Sequence, residues 1–487
     1  AVYVTFGEGP LRMTGCVLST NSAVGVAGGL YIGAGYHNND VVIRETSFLQ
    51  NSGSGSGHQV YIADAAKVTF VNVYMEGCPA CTGSSIHQGS TVYPEPCSNT
   101  LCSKAPFTGA CSATPTSHSG LGRVCGCGNG NTIYPPELGA LSTCSHWNCQ
   151  APETVGAFDC FVNCTLSTSV ELSGALNISG QGANARTVIT MSESATGAHF
   201  IVTNSYTLTL KYLNLTGGKG HTVGDINGGG SVYVSLGVFV ASFCSFERNT
   251  AVYGGAVYIS SGTLALENVL FASNTAGSGG GGGVYTSRSY VHMSDTVLKW
   301  NAANFSRGGG LHSHQDHSVT LTRTRVLENV AGKDGGGYYF GGSDAQIIDV
   351  QIVDGTIAGN TATFWGGGVW SRKSHISLAR TTVRTNSASQ GGGFAVQLST
   401  MQITNVRVEN NTAVHNGGGG RWSGGPAGLE LHVTRCVFRG NVANRIGGHA
   451  MFVMHNASVT IQESTFHDSA GDNPDSNHEI LTQASNS

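Results

Sequence analysis

The chain has 487 residues, 71 of them glycine and only 11 proline, with 40% hydrophobic and 11% charged residues and a net charge of −4. Glycine at roughly twice the usual frequency, without a Gly-X-Y period, excludes collagen, and ample β-branched and aromatic content excludes a disordered chain. Charges of both signs scattered along the sequence leave no basic stripe for nucleic acid, and no apolar run approaches the roughly 18 residues that cross a bilayer.

In chain order, residues 1–77 already carry a repeat. Leu18 to Asn21 is followed by Gly28-Gly29, and Phe48 to Asn51 is followed by QVYIA, so this stretch reads as the last coils of a first parallel stack. Ala1 to Phe6 do not read as a signal peptide, and the segment starts inside a stack. Residues 78–164 then hold 11 of the 14 cysteines: Cys78, Cys81, Cys97, Cys102, Cys111, Cys125, Cys127, Cys144, Cys149, Cys160 and Cys164. That density points to a disulfide module matured in an oxidising compartment, and zinc is the weaker reading of its short cysteine spacings.

Residues 165–470 form a second stack with a legible grammar. An apolar residue, two arbitrary residues and an Asn recur eight times, ending at Asn249, Asn274, Asn301, Asn329, Asn360, Asn386, Asn411 and Asn441. A glycine pair follows each, for example Gly254-Gly255 and Gly282-Gly283, then two alternating stretches such as AVYIS and GTLALENVLF. Strands repeating every 25 to 31 residues with no helical period between them predict a coiled all-β sheet, a right-handed parallel β-helix. Each coil then stacks on the last at about 4.8 Å, placing aromatic over aliphatic inside and Asn over Asn at a turn where left-handed backbone is tolerated. The glycine pair is expected to supply the positive-φ corner. Cys16, Cys244 and Cys436 each sit two places before a repeat apolar residue and are expected to be buried thiols. Residues 471–487 read as a polar tail.

FERNTAVYGGAVY at Phe246 to Tyr258 and FASNTAGSGGGGGVY at Phe271 to Tyr285 resemble the polymorphic outer membrane protein repeat, and large secreted β-helix proteins of protists and algae look similar. The resemblance covers roughly residues 165–470 and, more thinly, 1–77. It implies the fold, and surface display or adhesion. It departs in lacking an outer-membrane barrel segment and in its cysteine-rich interruption, which favours a eukaryotic extracellular setting.

Candidate sites compete with bland alternatives. His312, His314, Asp316 and His317 lie within six residues after a glycine turn and have the chemistry of a transition-metal site, set against an exposed polar loop. Asp344, Asp349 and Asp354, in one loop and its following strand, and Asp468, Asp472 and Asp475 near the end, which read better as solvated turn residues, are the nearest candidates for the clustered carboxylates of β-helix polysaccharide lyases and hydrolases. Glycan acceptors occur at Asn163, Asn177, Asn214, Asn304, Asn410 and Asn456. Trp147, Tyr134, Trp365, Trp370 and Trp422 are candidate contact aromatics, core packing competing for Trp370.

The sequence therefore predicts a secreted, non-catalytic structural protein without cofactors. It would be a segment or subunit of a rigid fibre, mastigoneme-like for instance, whose partners are its own copies or other extracellular fibre proteins. An adhesin or glycan-binding stalk is the alternative, and a lyase or hydrolase a more distant one.

Overall fold

A computed structural model describes residues 152–160, 163–180, 182, 186–424, 429–445, 448–454 and 458–467. Outside these it describes residue 16 and the strand residues 2–4, 11–14, 17–19, 22–23, 30–32, 41–44, 47–49, 52–53, 60–62, 68–71, 74–75, 92–93, 145–146 and 480–483. Among the described residues every regular element is a strand. One coil shows the plan. Val257–Ser260 lies in a first sheet, Thr263–Glu267 in a second and Leu270–Ala272 in a third, and Thr275–Gly280 forms a wing before the chain returns to the first sheet at Val284. Each strand pairs in parallel with its counterpart in the next coil, as Val257 with Val284, Thr263 with Tyr290 and Leu270 with Val297. The fold is thus a right-handed parallel β-helix, and its period-two burial follows from the alternation in stretches such as TLALE, where Leu264 and Leu266 point inward.

The corners depart from the sequence expectation. Three of them turn on single left-handed residues, and most are not glycine. Between the first and second sheets these are Ser261, Arg288 and Gln315; between the second and third, Asn268, Asp295 and Arg323. The ladder asparagines are not left-handed. The residue before each one is: Arg248, Ser273, Trp300, Glu328, Gly359, Thr385, Asn410 and Gly440 have φ of 52° to 67°. The glycine pairs also act differently from expectation. In five of the eight coils the left-handed glycine, such as Gly281 or Gly308, sits one residue before the pair. The pair itself serves close approach, since a Cβ on Gly282 would lie 2.2 Å from the Gly309 carbonyl oxygen.

Two stacks are expected from sequence, but the strands pair as one. Leu11–Thr14 pairs with Val459–Gln462, Val17–Ser19 with Thr465–His467, and Val2–Val4 with Ile480–Thr482. Residues 480–483, expected in a polar tail, are a strand that also pairs with Met451–Met454. The N-terminal coils therefore follow the C-terminal ones in space, and Met13, Cys16, Leu18 and Ile43 belong to the same buried core as the rest. The cysteine-rich segment contributes two two-residue strands to the second sheet: Val92–Tyr93 pairs with Val68–Thr69, and Ser145–His146 with Phe158–Asp159.

The core is built from columns. Phe246 and Phe271 stack with ring centroids 5.0 Å apart, the column continues through Leu298, Val326, Ile357, Val383 and Val408, and it closes on Phe438 and Phe466 at 4.9 Å. Identical or similar shapes one coil apart bury apolar surface without voids, the main favourable term in such a fold. Cys244 and Cys436 share a corner column with Thr296, Thr324, Thr381 and Ser464, and each thiol donates to the carbonyl two residues back, as the hydroxyls of Thr296 and Ser464 do. Cys16 continues this column with the same bond to Thr14. All three are buried free thiols, and burial pushes their pKa up, Cys16 and Cys436 to about 11 and Cys244 to about 12.

Candidate functional site: ladders and outer faces

The eight repeat asparagines form one continuous ladder. Asn249 donates from its backbone N and from Nδ2 to Asn274 Oδ1, both at 3.0 Å. Asn274 does the same to Asn301, and the pattern runs through Asn329, Asn360, Asn386 and Asn411 to Asn441. The second Nδ2 proton goes to a carbonyl of the preceding coil, for instance Asn274 to Phe246 at 2.9 Å. These side chains are at most 1% exposed, so every amide is both desolvated and satisfied.

A second column lies on the outer face of the first sheet, where sequence reasoning sees only alternation. Tyr233, Tyr258, Tyr285, His312, Tyr339 and Trp370 stack with centroids 4.4 to 5.4 Å apart. The wing covers them: Tyr253 sets its edge on Tyr285 at 5.2 Å, and Trp365 lies nearly parallel to Trp370 at 6.4 Å. With at most 9% exposure, this column joins wing to sheet and is not an open platform. Trp422 points into the core, fully buried, with Nε1 donating to the Ser399 carbonyl at 3.1 Å. Trp147 and Tyr134 lie outside the described residues.

The histidine cluster is not gathered into a metal centre. His312 is held in the aromatic column, and burial pushes its pKa down to about 3. Its ring centroid is 6.4 Å from that of His314 and nearly perpendicular to it, while His317 stacks on Tyr290. Asp316, fully buried, accepts hydrogen bonds from Ser289 N at 2.8 Å, from Ser313 Oγ at 2.6 Å and from Thr286 Oγ1. It is a corner brace whose pKa burial raises to about 7, although those three donors pull the other way.

The suspected carboxylate group is also dispersed. Asp344 pairs with Lys373 at 2.6 Å and Asp354 with Arg380 at 2.7 Å, both at the surface. Asp349 faces outward from the second sheet, in a lateral row with His375, Thr400 and Glu430. A shallow groove runs over this row, with His375 bonded to Thr400 at 2.7 Å and His432 to Glu430 at 2.8 Å. Three coil spacings separate Asp349 from Glu430, about 14 Å, beyond the roughly 5–9.5 Å of a glycosidase acid–base pair. Asp468, Asp472 and Asp475 lie outside the described residues.

Of the glycan acceptors, Asn163, Asn304 and Asn410 are exposed and Asn177 and Asn214 half-buried. Asn456 lies outside the described residues, as do the cysteines from Cys78 to Cys149. Cys164 is disulfide-bonded, and Cys160 is buried against the core. Unanticipated exposed aromatics among the described residues include Phe305, 72% exposed, and Trp300, 54% exposed, with Phe364 also open. Among the described residues no helix is long and apolar enough to cross a membrane.

A family model described as the right-handed β-helix region matches residues 309–480. No curated protein matches the sequence. Among solved structures, the A-module of mannuronan C-5 epimerase AlgE6 from Azotobacter vinelandii is similar at a TM-score of 0.34 and 12% identity, over 68% of this chain and 89% of that one. That likeness is too remote to bear on chemistry.

Proposed function

We propose that this protein is an extracellular structural subunit, a rigid segment of a surface fibre or filament such as a mastigoneme-like appendage, without catalytic activity. The observation that carries this reading is the unbroken asparagine ladder, which ties eight successive coils through buried, fully bonded amides and makes the stack stiff along its axis. Of the polar groups that sequence reasoning offers for chemistry, Asp316 is taken up in a corner, His312 in an aromatic column, and Asp344 and Asp354 in surface ion pairs. An oxidising, secreted setting is supported by the cysteine density of residues 78–164, the disulfide at Cys164 and the exposed acceptors at Asn163, Asn304 and Asn410. In this setting the cysteine-rich segment is a disulfide-stapled joint, and the FxxN and glycine-pair coils belong to the polymorphic outer membrane protein type.

The adhesin or glycan-binding reading draws on one observation, the exposed Trp300 with Lys299 Nζ 4.3 Å above its ring. Negative-stain electron microscopy of the native secreted material separates the two. Regular filaments are expected. Dispersed short rods that never associate at any concentration would overturn the fibre reading in favour of adhesion.

A further inference from the structure

The corner between the first and second sheets opens outward into a shallow groove of about 660 Å³. It crosses six coils, from Ser205 through Leu236, Ser261, Arg288 and Gln315 to Ser343, a length of five coil spacings or about 24 Å. Its floor is small by necessity. A Cβ on Gly262 would lie 2.3 Å from the Gly237 carbonyl oxygen, and one on Gly237 would lie 2.8 Å from that of Tyr206, so coil stacking keeps side chains out of it. Tyr290 borders this floor and is 55% exposed. His317 stacks on one face of its ring, with centroids 4.8 Å apart. On the side of the preceding coil its lateral neighbour is Thr263, next to Gly262, and neither is large enough to cover a ring. Arg288 and Gln315 stand at left-handed corner positions beside it, with φ of 49° and 54°. Among the described residues neither side chain makes a hydrogen bond or an ion pair, and no carboxylate lines the groove.

We propose that this groove binds an oligosaccharide laid along the helix axis, with one pyranose ring stacked on the open face of Tyr290. A pyranose presents an apolar face of C–H groups and a rim of hydroxyls. The exposed ring of Tyr290 and the side chain of Leu236, 58% exposed, meet the first. The forked donors of Arg288 and the amide of Gln315, which both donates and accepts, meet the second. The volume falls within the roughly 300–1,000 Å³ of small-ligand sites, which likewise pair an apolar wall with a few converging polar groups. The outward row that carries Tyr290 continues through Ser318 and Asp349 to His375, in the shallow groove over the second sheet, so a longer chain would find further polar contacts along the same face. Because the groove is built by the coils themselves, this inference does not rest on the fibre reading and holds for a fibre subunit and a stalk alike.

The test is binding of the purified full chain to an array of pyranose oligosaccharides, one series neutral and one uronate. Binding to either series is expected, and which series it is tells a neutral ligand from an acidic one. Tyr290→Ala should weaken it by about tenfold or more, through loss of the stacking face. Thr263→Trp, which fills the groove beside Tyr290, should abolish it, while Tyr290→Phe keeps the ring and should keep binding. Trp300→Ala, on another corner of the coil, should change nothing. Tyr290 is exposed, so its variants are expected to melt like the wild type, and the melting curve separates lost binding from lost fold. No binding to any member of either series would overturn the proposal. Binding that survives both Tyr290→Ala and Thr263→Trp, or that falls only with Trp300→Ala, would overturn it equally. Micrographs of Tyr290→Ala are expected to match those of the native material, so the groove and the fibre reading fail independently.

Discussion

Asn360 Oδ1 accepts two hydrogen bonds from Asn329, one from its backbone N at 2.9 Å and one from Nδ2 at 3.0 Å, with both residues fully buried. Replacing Asn360 by alanine would strand both Asn329 donors and vacate its own bonds to Val326 and Asn386. Since an unsatisfied buried polar group costs about 1–3 kcal/mol, Asn360→Ala is expected to lower stability by roughly 2–5 kcal/mol. Urea unfolding of the purified protein measures it. A loss below about 0.5 kcal/mol would mean that the ladder contributes little to holding coils together.

Phe271 sits between Phe246 and Leu298 in the core column and has no exposed surface. Phe271→Ala removes its stacking partner from Phe246 and opens a cavity in a packed interior, an expected cost of about 3–5 kcal/mol. Here too the check is the shift of the denaturation midpoint at unchanged slope. A change under about 1 kcal/mol would remove this residue from the core.

The pH dependence of stability turns on Asp316. Its folded pKa of about 7 lies above the ordinary carboxylate value because burial disfavours the charge. A raised folded pKa means that the folded state binds the proton more tightly. This contribution is therefore fully present below about pH 4 and is lost as pH rises towards 7. His312 acts in the opposite sense: with a folded pKa near 3, its contribution is present above about pH 6.5 and is lost as pH falls towards 3. Asp316→Asn keeps an acceptor for Ser289 N and cannot ionise. Thermal melts from pH 4 to pH 8 should show the variant gaining on the wild type as pH rises, by roughly a few kcal/mol at pH 8. Parallel curves across that range would show that Asp316 does not titrate in the folded state.

Much of the coil was legible because a solenoid writes its packing into a period. Phe246 and Phe271 recur at the same step as Asn249 and Asn274, so core column and ladder are both visible as repeats. The same logic located Cys16, Cys244 and Cys436 inside. What repeats poorly was read less well. The corners use Ser261, Arg288 and Gln315 interchangeably, because a left-handed residue facing solvent can carry many side chains where its neighbours hold the backbone. His312 looked like a ligand and proved to be one ring in a column whose other members are Tyr and Trp, a pattern hidden by the change of residue type.

The sequence alone determined the fold class, the inward positions and the spacing of the coils, since period-two strands separated by glycine and asparagine admit few other packed solutions. Only the tertiary structure decided which outward residues are covered and how the ends of the chain relate. The wing folds back over Tyr258 and Tyr285, contacts set by distance in space that no local period encodes. The pairing of Leu18 with Phe466 likewise depends on two edges matching in register, which strands far apart in sequence reveal only when they meet.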